Sequence, residues 1–429
     1  MPLKWKELFV RLLLILAFMN TGLRPSVNSP FSLFRLVAPP FILLILLLDF
    51  RRYTKSFFWF TGLLLWGLAA YVLFHKTTFY LLYAEYLHFF FLYGVFVLVK
   101  HHADLSQDFA VSFFSFLDHF VVFTLILTAV EYGFGLHFFS AVQSGRVCAS
   151  VFFWNENELC MAFCTMIPLY MIRGYEKKKI LDFLKIGVIL WFCYEYDCKL
   201  SLSAIFLYVI MLLLLFPRRK SILFFVFLFA MISAFLFFFF IFPYIDFHLE
   251  TGQHTTTYSF HRDIYQPLMH LLTLTPFRLP GSVYVRTDAI IYGLRELLDS
   301  LLLGMGPGGS YYMLSLSKYR LDRTISMHNF TAHMLTEFGM YFLVSVVWFY
   351  THVIRTFLKK NTRFSKMQTA YAFFLIFLSS QASAAIFSNY FFWTTIFFVF
   401  LIPDFYPSAK EREQIEQQQA LLRDGKAFL

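Results

Sequence analysis

Between positions 286 and 339 the chain carries residue types whose spacing suits chemistry on an anion. Arg286 is a permanent cation. Gly304-Met305-Gly306-Pro307-Gly308-Gly309 is a turn whose glycines permit positive φ, and successive unpaired amides in such a turn cradle an oxyanion. The same stretch reads equally well as a helix cap and tight connector. His328, followed by Asn329, offers an imidazole that is neutral near neutral pH and suited to take a proton from a hydroxyl, although a lone histidine is more often structural. Glu337 and Gly339 close the set. Glu337 lies nine residues beyond His328, on the opposite side of a continuous helix, so it is a poor partner for that imidazole. His333 and Glu337, four apart, share a face and read as a structural polar pair.

Metal chemistry is not expected from these residues. His254, His261, His270, His328 and His333 form no HExxH, and no close carboxylate pair accompanies them. Five cysteines, Cys148, Cys160, Cys164, Cys193 and Cys198, lack CxxC spacing; Cys160 and Cys164 share a helical face and read as inert core residues.

The elements that position these groups are set by composition. With 59% hydrophobic and 14% charged residues, the 429-residue chain is too apolar for a water-soluble fold and is read as an all-α polytopic membrane protein. Its 61 phenylalanines are read as lipid-facing and packing residues. Apolar runs long enough to span the hydrocarbon core occur about twelve times, near 7–23, 31–49, 56–75, 78–99, 109–135, 151–172, 180–197, 200–216, 221–245, 334–357, 367–387 and 389–405. The first has a basic start but no small-x-small cleavage site, so it is kept as a helix.

Charge orients these spans. The net charge of +10 comes from short loops: Arg51, Arg52 and Lys55; Lys100; Arg173 with Lys177, Lys178 and Lys179; Arg218, Arg219 and Lys220; Arg355, Lys359, Lys360, Arg363 and Lys366. The opposite short loops hold only Arg24, Lys76, Arg146 and Lys199. Positive charge stays inside, so both termini are expected in the cytoplasm and residues 246–333 form one large extracytoplasmic loop. Basic charge is then topology, not a nucleic-acid surface. The chain divides into helices 1–9 over 1–245, the loop over 246–333, helices 10–12 over 334–405, and a charged, glutamine-rich tail over 406–429.

Inside the loop, Ala289, Ile290, Leu294, Leu297, Leu298 and Leu301 recur at three- and four-residue steps, predicting an amphipathic helix over 286–303 that the glycines end, with Arg286 in its first turn. Asn155-Glu156-Asn157-Glu158 and the Glu195, Asp197, Lys199 group lie at ends expected on the same face. Asp118, His119 and Glu131, inside the fifth span, read equally as helix-helix contacts.

Arg286, Leu303-Gly304-Met305-Gly306-Pro307-Gly308, then His328-Asn329 and Glu337-x-Gly339 together resemble the signature of the bacterial O-antigen ligase and O-antigen polymerase (Wzy-like) superfamily. In that family an R-x-x-x-W helix leads to L-G-x-G-P-G, and H-N followed by E-x-G opens the next membrane helix. Here Ile290 stands where tryptophan is common, Cys198-Lys199 where a Ser-Arg pair is usual, and Asn155-Glu156-Asn157 where the family has N-P-N.

The resemblance implies a GT-C-like enzyme of the bacterial cytoplasmic (inner) membrane that transfers glycan from a polyprenyl diphosphate to an acceptor hydroxyl. It implies inversion, with no metal, cofactor or nucleotide sugar. Arg286 and Lys199 would bind the diphosphate, His328 would take the acceptor proton, and Gly304, Gly306, Gly308, Asn329, Asn155 and Asn157 would line the substrate. Glu337 and His333 would give polar support. A polymerase joining two lipid-linked repeats is the expectation, with a chain-length regulator and a flippase of the same pathway as partners. Ligation to lipid A core or protein is the alternative within the family, and a lipid-linked oligosaccharide flippase the alternative outside it. A flippase would need its cations in a central cavity and would not need the long loop.

Overall fold

A backbone surrounded by lipid has no water to satisfy its polar groups, so apolar runs of membrane length should fold as helices. The structure, a computed structural model, describes residues 3–24, 31–106, 108–136, 138, 151–153, 155–177, 179–196, 198, 246–251, 254–259, 265–279, 282–316, 327, 329–360, 363–379 and 384–405. In chain order these form α1 (Leu3–Phe18), α2 (Leu33–Leu48), α3 (Phe50–Phe74), α4 (Phe79–Leu105), α5 (Phe109–Phe134), α6 (Glu156–Lys177) and α7 (Ile180–Glu195). A small hairpin of β1 (Asp246–Thr251) and β2 (His254–Ser259) pairs antiparallel, Asp246 opposite Ser259. After it come α8 (Gln266–Thr273), α9 (Ser282–Asp299), α10 (Gly309–Ser315), α11 (Phe330–Lys360), α12 (Arg363–Ser379) and α13 (Tyr390–Phe405), with a 3-10 turn, Ala384–Ser388, before α13.

Among the described residues α3, α4, α5 and α11 are long and apolar enough to cross a membrane, and α2 and most of α13 are shorter apolar helices. These mark the chain as a helical membrane protein. The spans expected at 200–216 and 221–245, and the tail, lie outside the described residues.

Helix boundaries follow polar caps more closely than hydropathy. The side chains of Ser32, Thr78 and Asp108 accept from the backbone amides of Arg35, Leu81 and Val111 at the starts of α2, α4 and α5. Asn155 does the same for α6, accepting from the Glu158 amide at 2.9 Å, so that helix begins at Glu156 and not at 151. Inside the bundle, α4 is central: 56% of its apolar span is buried, against 11% in α3 and 6% in α11. It packs on α1, α2 and α13, while the outer faces of α3 and α11 carry exposed Leu65, Leu73, Val344, Val347 and Trp348, the pattern of a lipid-facing surface.

One arrangement matters for the site. The N-terminal ends of α2, α4, α6, α11 and α13 gather at one end of the bundle. There Arg35 Nη2 lies 3.5 Å from the Tyr390 hydroxyl, and Asn389 Nδ2 donates to the Glu158 carbonyl at 3.0 Å. Phe387 stacks with His88 and meets Phe330 edge-on. On the far side of the helices Arg52 pairs with Asp104 at 3.4 Å, and Asp118 ties α5 to α6 and α7 by accepting from Tyr170, Arg173 and Lys185. Asp118 is thus a helix-helix contact, and Glu131 accepts from the amides of Phe138 and Val151, fixing the chain beyond α5.

Candidate functional site

The α9 helix carries Arg286, but its limits differ from the sequence expectation. It starts at Ser282, so Arg286 falls in the second turn, and it ends at Asp299, before the glycines. Leu301 and Leu302, both at positive φ, reverse the chain, and the amide of Leu302 closes on the Leu297 carbonyl at 2.9 Å. The glycines therefore do not cap α9.

Their task is to fill a break in α11. Gly339, at φ 50° and ψ −130°, interrupts that helix and leaves the Thr336 and Glu337 carbonyls without their usual partners. Met305 donates to Thr336 O at 2.8 Å, Gly306 to Glu337 O at 3.0 Å, and Met340 to Leu302 O at 2.8 Å, so the 302–306 segment zips into the gap. Contact is tight enough to require glycine: a Cβ on Gly304 would strike the Glu337 carbonyl, and one on Gly306 would stand 2.9 Å from the Tyr71 amide.

The amides expected to hold a phosphate are thereby taken. Gly304 donates to Ser300 Oγ, Gly306 to Glu337 O and Gly309 to Gly306 O. What the turn does cradle is an internal carboxyl group. The Glu337 carboxylate receives the amides of Gly308 and Ser310 and, at 2.6 Å, the Ser310 hydroxyl. Gly304, Gly306 and Gly308 are accordingly structural in this conformation.

Glu337 belongs to a buried polar cluster that local spacing showed only in part. His333 Nε2 lies 3.5 Å from Glu337 Oε2, and Glu85, seven residues into α4, completes a group whose donor atoms all lie within 4.8 Å of one another. All three are sealed from solvent. His88 Nδ1 is 3.8 Å from Glu85 Oε1. The Tyr311 phenol on α10 is pushed well above its usual pKa, first by burial and then by the negative charges of Glu85 and Glu337. An acid inside an apolar run was the available signal for Glu85. Its partners, some 250 positions away in sequence, left no local trace.

The remaining candidate residues separate into three groups. Arg286 is exposed, has no hydrogen bond or ion pair among the described residues, and is nonetheless crowded enough that desolvation lowers its pKa. The asparagines are committed to backbone: Asn329 Oδ1 accepts from the Ala332 amide at 2.8 Å and caps α11, as Asn155 caps α6. Exposed Asn157 accepts from the buried Cys198 thiol at 3.2 Å. His328 and Lys199 lie outside the described residues.

Two further features were missed by sequence. Arg24 and Arg35, the former counted only as a loop charge, sit close enough that Arg24 is lowered in pKa by burial and then by the charge of Arg35. Cys164 and Cys193 bring their sulfurs to 3.6 Å across α6 and α7, where Cys160 and Cys198 are also buried.

Five helix N-termini gather at one end of the bundle, and Arg24 and Arg35 lie beside one another there. Neither known family models nor curated proteins match the sequence.

Proposed function

We propose that the chain is a membrane glycosyltransferase that lengthens a glycan carried on a polyprenyl diphosphate, joining one lipid-linked repeat to the acceptor sugar of another. The twelve-span topology with an extracytoplasmic site belongs to this reading. The observation that carries it is Arg286. An arginine with no anionic partner among the described residues, partly desolvated, on a helix packed beside the N-terminal half of α11, suits a ligand that brings its own negative charge. A diphosphate leaving group is such a ligand, and its departure develops charge that fixed cations stabilise.

The order of Arg286, the glycine turn, His328-Asn329 and Glu337-x-Gly339 supports the same reading. In it Arg286, with Lys199, binds the diphosphate and His328 takes the acceptor proton as the hydroxyl attacks the anomeric carbon. The glycine turn and Asn329 act by holding α9, α10 and α11 in register, not by touching substrate.

The test uses purified full-length protein in nanodiscs with a synthetic diphosphate-linked oligosaccharide. Lengthened lipid-linked glycan is the expected product, and Arg286→Ala should lower the rate about 100-fold or more with unchanged protein level in the membrane. Movement of lipid across vesicles without any glycan transfer, or an Arg286→Ala variant of wild-type rate, would overturn the reading.

A further inference from the structure

Glu85 and the His333, Glu337 pair come from two different membrane helices, and hydrogen-bond accounting shows what their meeting lacks. Ser310 Oγ has a single proton. It donates this to Glu337 Oε1 at 2.6 Å, an atom that only accepts while the carboxylate is ionised. Toward His333 Nδ1, 2.9 Å away, the same oxygen must therefore accept. His333 then carries its proton on Nδ1 and turns the lone pair of Nε2 toward Glu337 Oε2.

At that point the accounting fails. His333 Nε2, Glu337 Oε2 and Glu85 Oε2 are all buried and all without a hydrogen-bond partner. Glu85 does take a hydrogen bond from the Tyr311 phenol, but three electron-rich atoms facing one another in a low-dielectric interior repel, and two carboxylates there are costly unless an ion or a proton lies between them.

We propose that Glu85, His333 and Glu337 bind one divalent first-row transition ion, of the zinc and manganese class, which fastens α4 to α11. Two ligands of a single tetrahedral ion at metal distances of roughly 2.0–2.1 Å stand about 3.4 Å apart, and His333 Nε2 and Glu337 Oε2 stand at 3.5 Å. Two carboxylates cancel the ion's charge. Imidazole with carboxylate favours zinc or manganese over calcium or magnesium, which ask for more oxygen ligands. The Ser310 hydroxyl accepting from Nδ1–H is the outer partner that metal-bound imidazoles use to fix their tautomer. His88 Nδ1 stands 3.8 Å from the other Glu85 oxygen, on the next turn of α4. The site lies one to two turns below the N-terminal ends of both helices, so an ion could enter from that end.

This proposal does not rest on the transferase reading: the ion is a fastening within the bundle, and transfer needs no metal. Full-length protein in nanodiscs, stripped with a chelator, is titrated separately with Co²⁺, Zn²⁺ and Mn²⁺, following the visible Co²⁺ band, bound metal by mass spectrometry and the thermal midpoint. One ion per chain and a raised midpoint are expected, with Zn²⁺ displacing Co²⁺.

Glu85→Gln and Glu337→Gln should abolish binding, and Ser310→Ala should weaken it about 10- to 100-fold. Arg286→Ala, outside the cluster, should bind normally even if it transfers no glycan. If the glutamine variants fail to fold, the wild-type titration and Ser310→Ala decide. A wild type that binds none of the three ions stoichiometrically, or a Ser310→Ala variant of unchanged affinity, would overturn the proposal and leave protons as what neutralises the cluster.

Discussion

Gly339→Ala tests whether the glycine turn and the break in α11 form one mechanical unit. At φ 50° and ψ −130° residue 339 occupies backbone space open essentially to glycine, and forcing a side chain there costs about 1–3 kcal/mol. The added Cβ would also drive into the Leu302 carbonyl, and the next nearest atoms, in Leu303 and Gly304, are backbone too. Relief requires the 302–306 segment to withdraw, which breaks the bonds from Met305, Gly306 and Met340. At about 1 kcal/mol net apiece the total destabilisation comes to about 4–6 kcal/mol, a large part of what holds a typical domain folded. Denaturant unfolding in mixed micelles, read by tryptophan fluorescence, measures it. The control is Gly187→Ala in α7, where a Cβ meets nothing within 4 Å and helix propensity predicts a gain of up to about 1 kcal/mol. If Gly339→Ala unfolds at the same denaturant concentration as the control, the helix break does not depend on that glycine and the coupling argument is refuted.

Three other changes probe neighbouring claims by the same unfolding assay. Asn329→Ala should lose about 1 kcal/mol, with Asn329→Asp retaining most of it, because the side chain is a cap; a stable but inactive Asn329→Ala would instead place it on substrate. Lys76→Ala should destabilise by about 1–3 kcal/mol, since Glu296, 2.6 Å from the ammonium and buried, loses its cation. Adding Glu296→Gln should recover part of that loss, and simple additivity of the two would show no coupling. Cys164→Ala should cost no more than about 1–2 kcal/mol and leave transfer unchanged, as befits a small core residue; loss of transfer in a stable variant would give the Cys164–Cys193 contact a functional role.

Helices were readable where an apolar run met a polar cap, and less so where position decided the outcome. Phe109–Phe134 follows its hydropathy almost to the residue because Asp108 starts it and Gly135, left-handed, ends it. The α9 helix was legible from its leucine spacing, but its end was not, since Leu301 and Leu302 give no local sign of adopting the left-handed region. The role of Gly304 depends on Gly339 and that of Gly306 on Tyr71 in α3, partners that no local pattern can name. His333 and Glu337 were visible as a pair from four-residue spacing, whereas Glu85 joins them only through the packing of α4 beside α11. A reading confined to one helix face counts the charges of that face and misses the one that the fold brings across.

On the proposed reading, the Glu337 carboxyl changes which groups remain for a substrate. A glycine-rich turn read in isolation offers its amides to a phosphate, but here the Glu337 carboxylate already holds those of Gly308 and Ser310, and the Glu337 and Gly306 carbonyls hold the next two. An external phosphate would have to displace a buried carboxylate and leave it unpaired, which costs more than the exchange returns. On the proposed transferase reading, the binding load therefore shifts to side-chain cations. Among the described residues Arg286 is one without a carboxylate partner, so Arg286→Lys is the discriminating substitution: it keeps the charge and removes the fork. If diphosphate recognition is bidentate, Arg286→Lys should retain membrane level and stability while transfer falls at least about tenfold, the loss expected when a fork is replaced by a point charge. Wild-type turnover in that variant would mean that charge alone suffices, and recognition of the diphosphate would have to lie elsewhere on the same face.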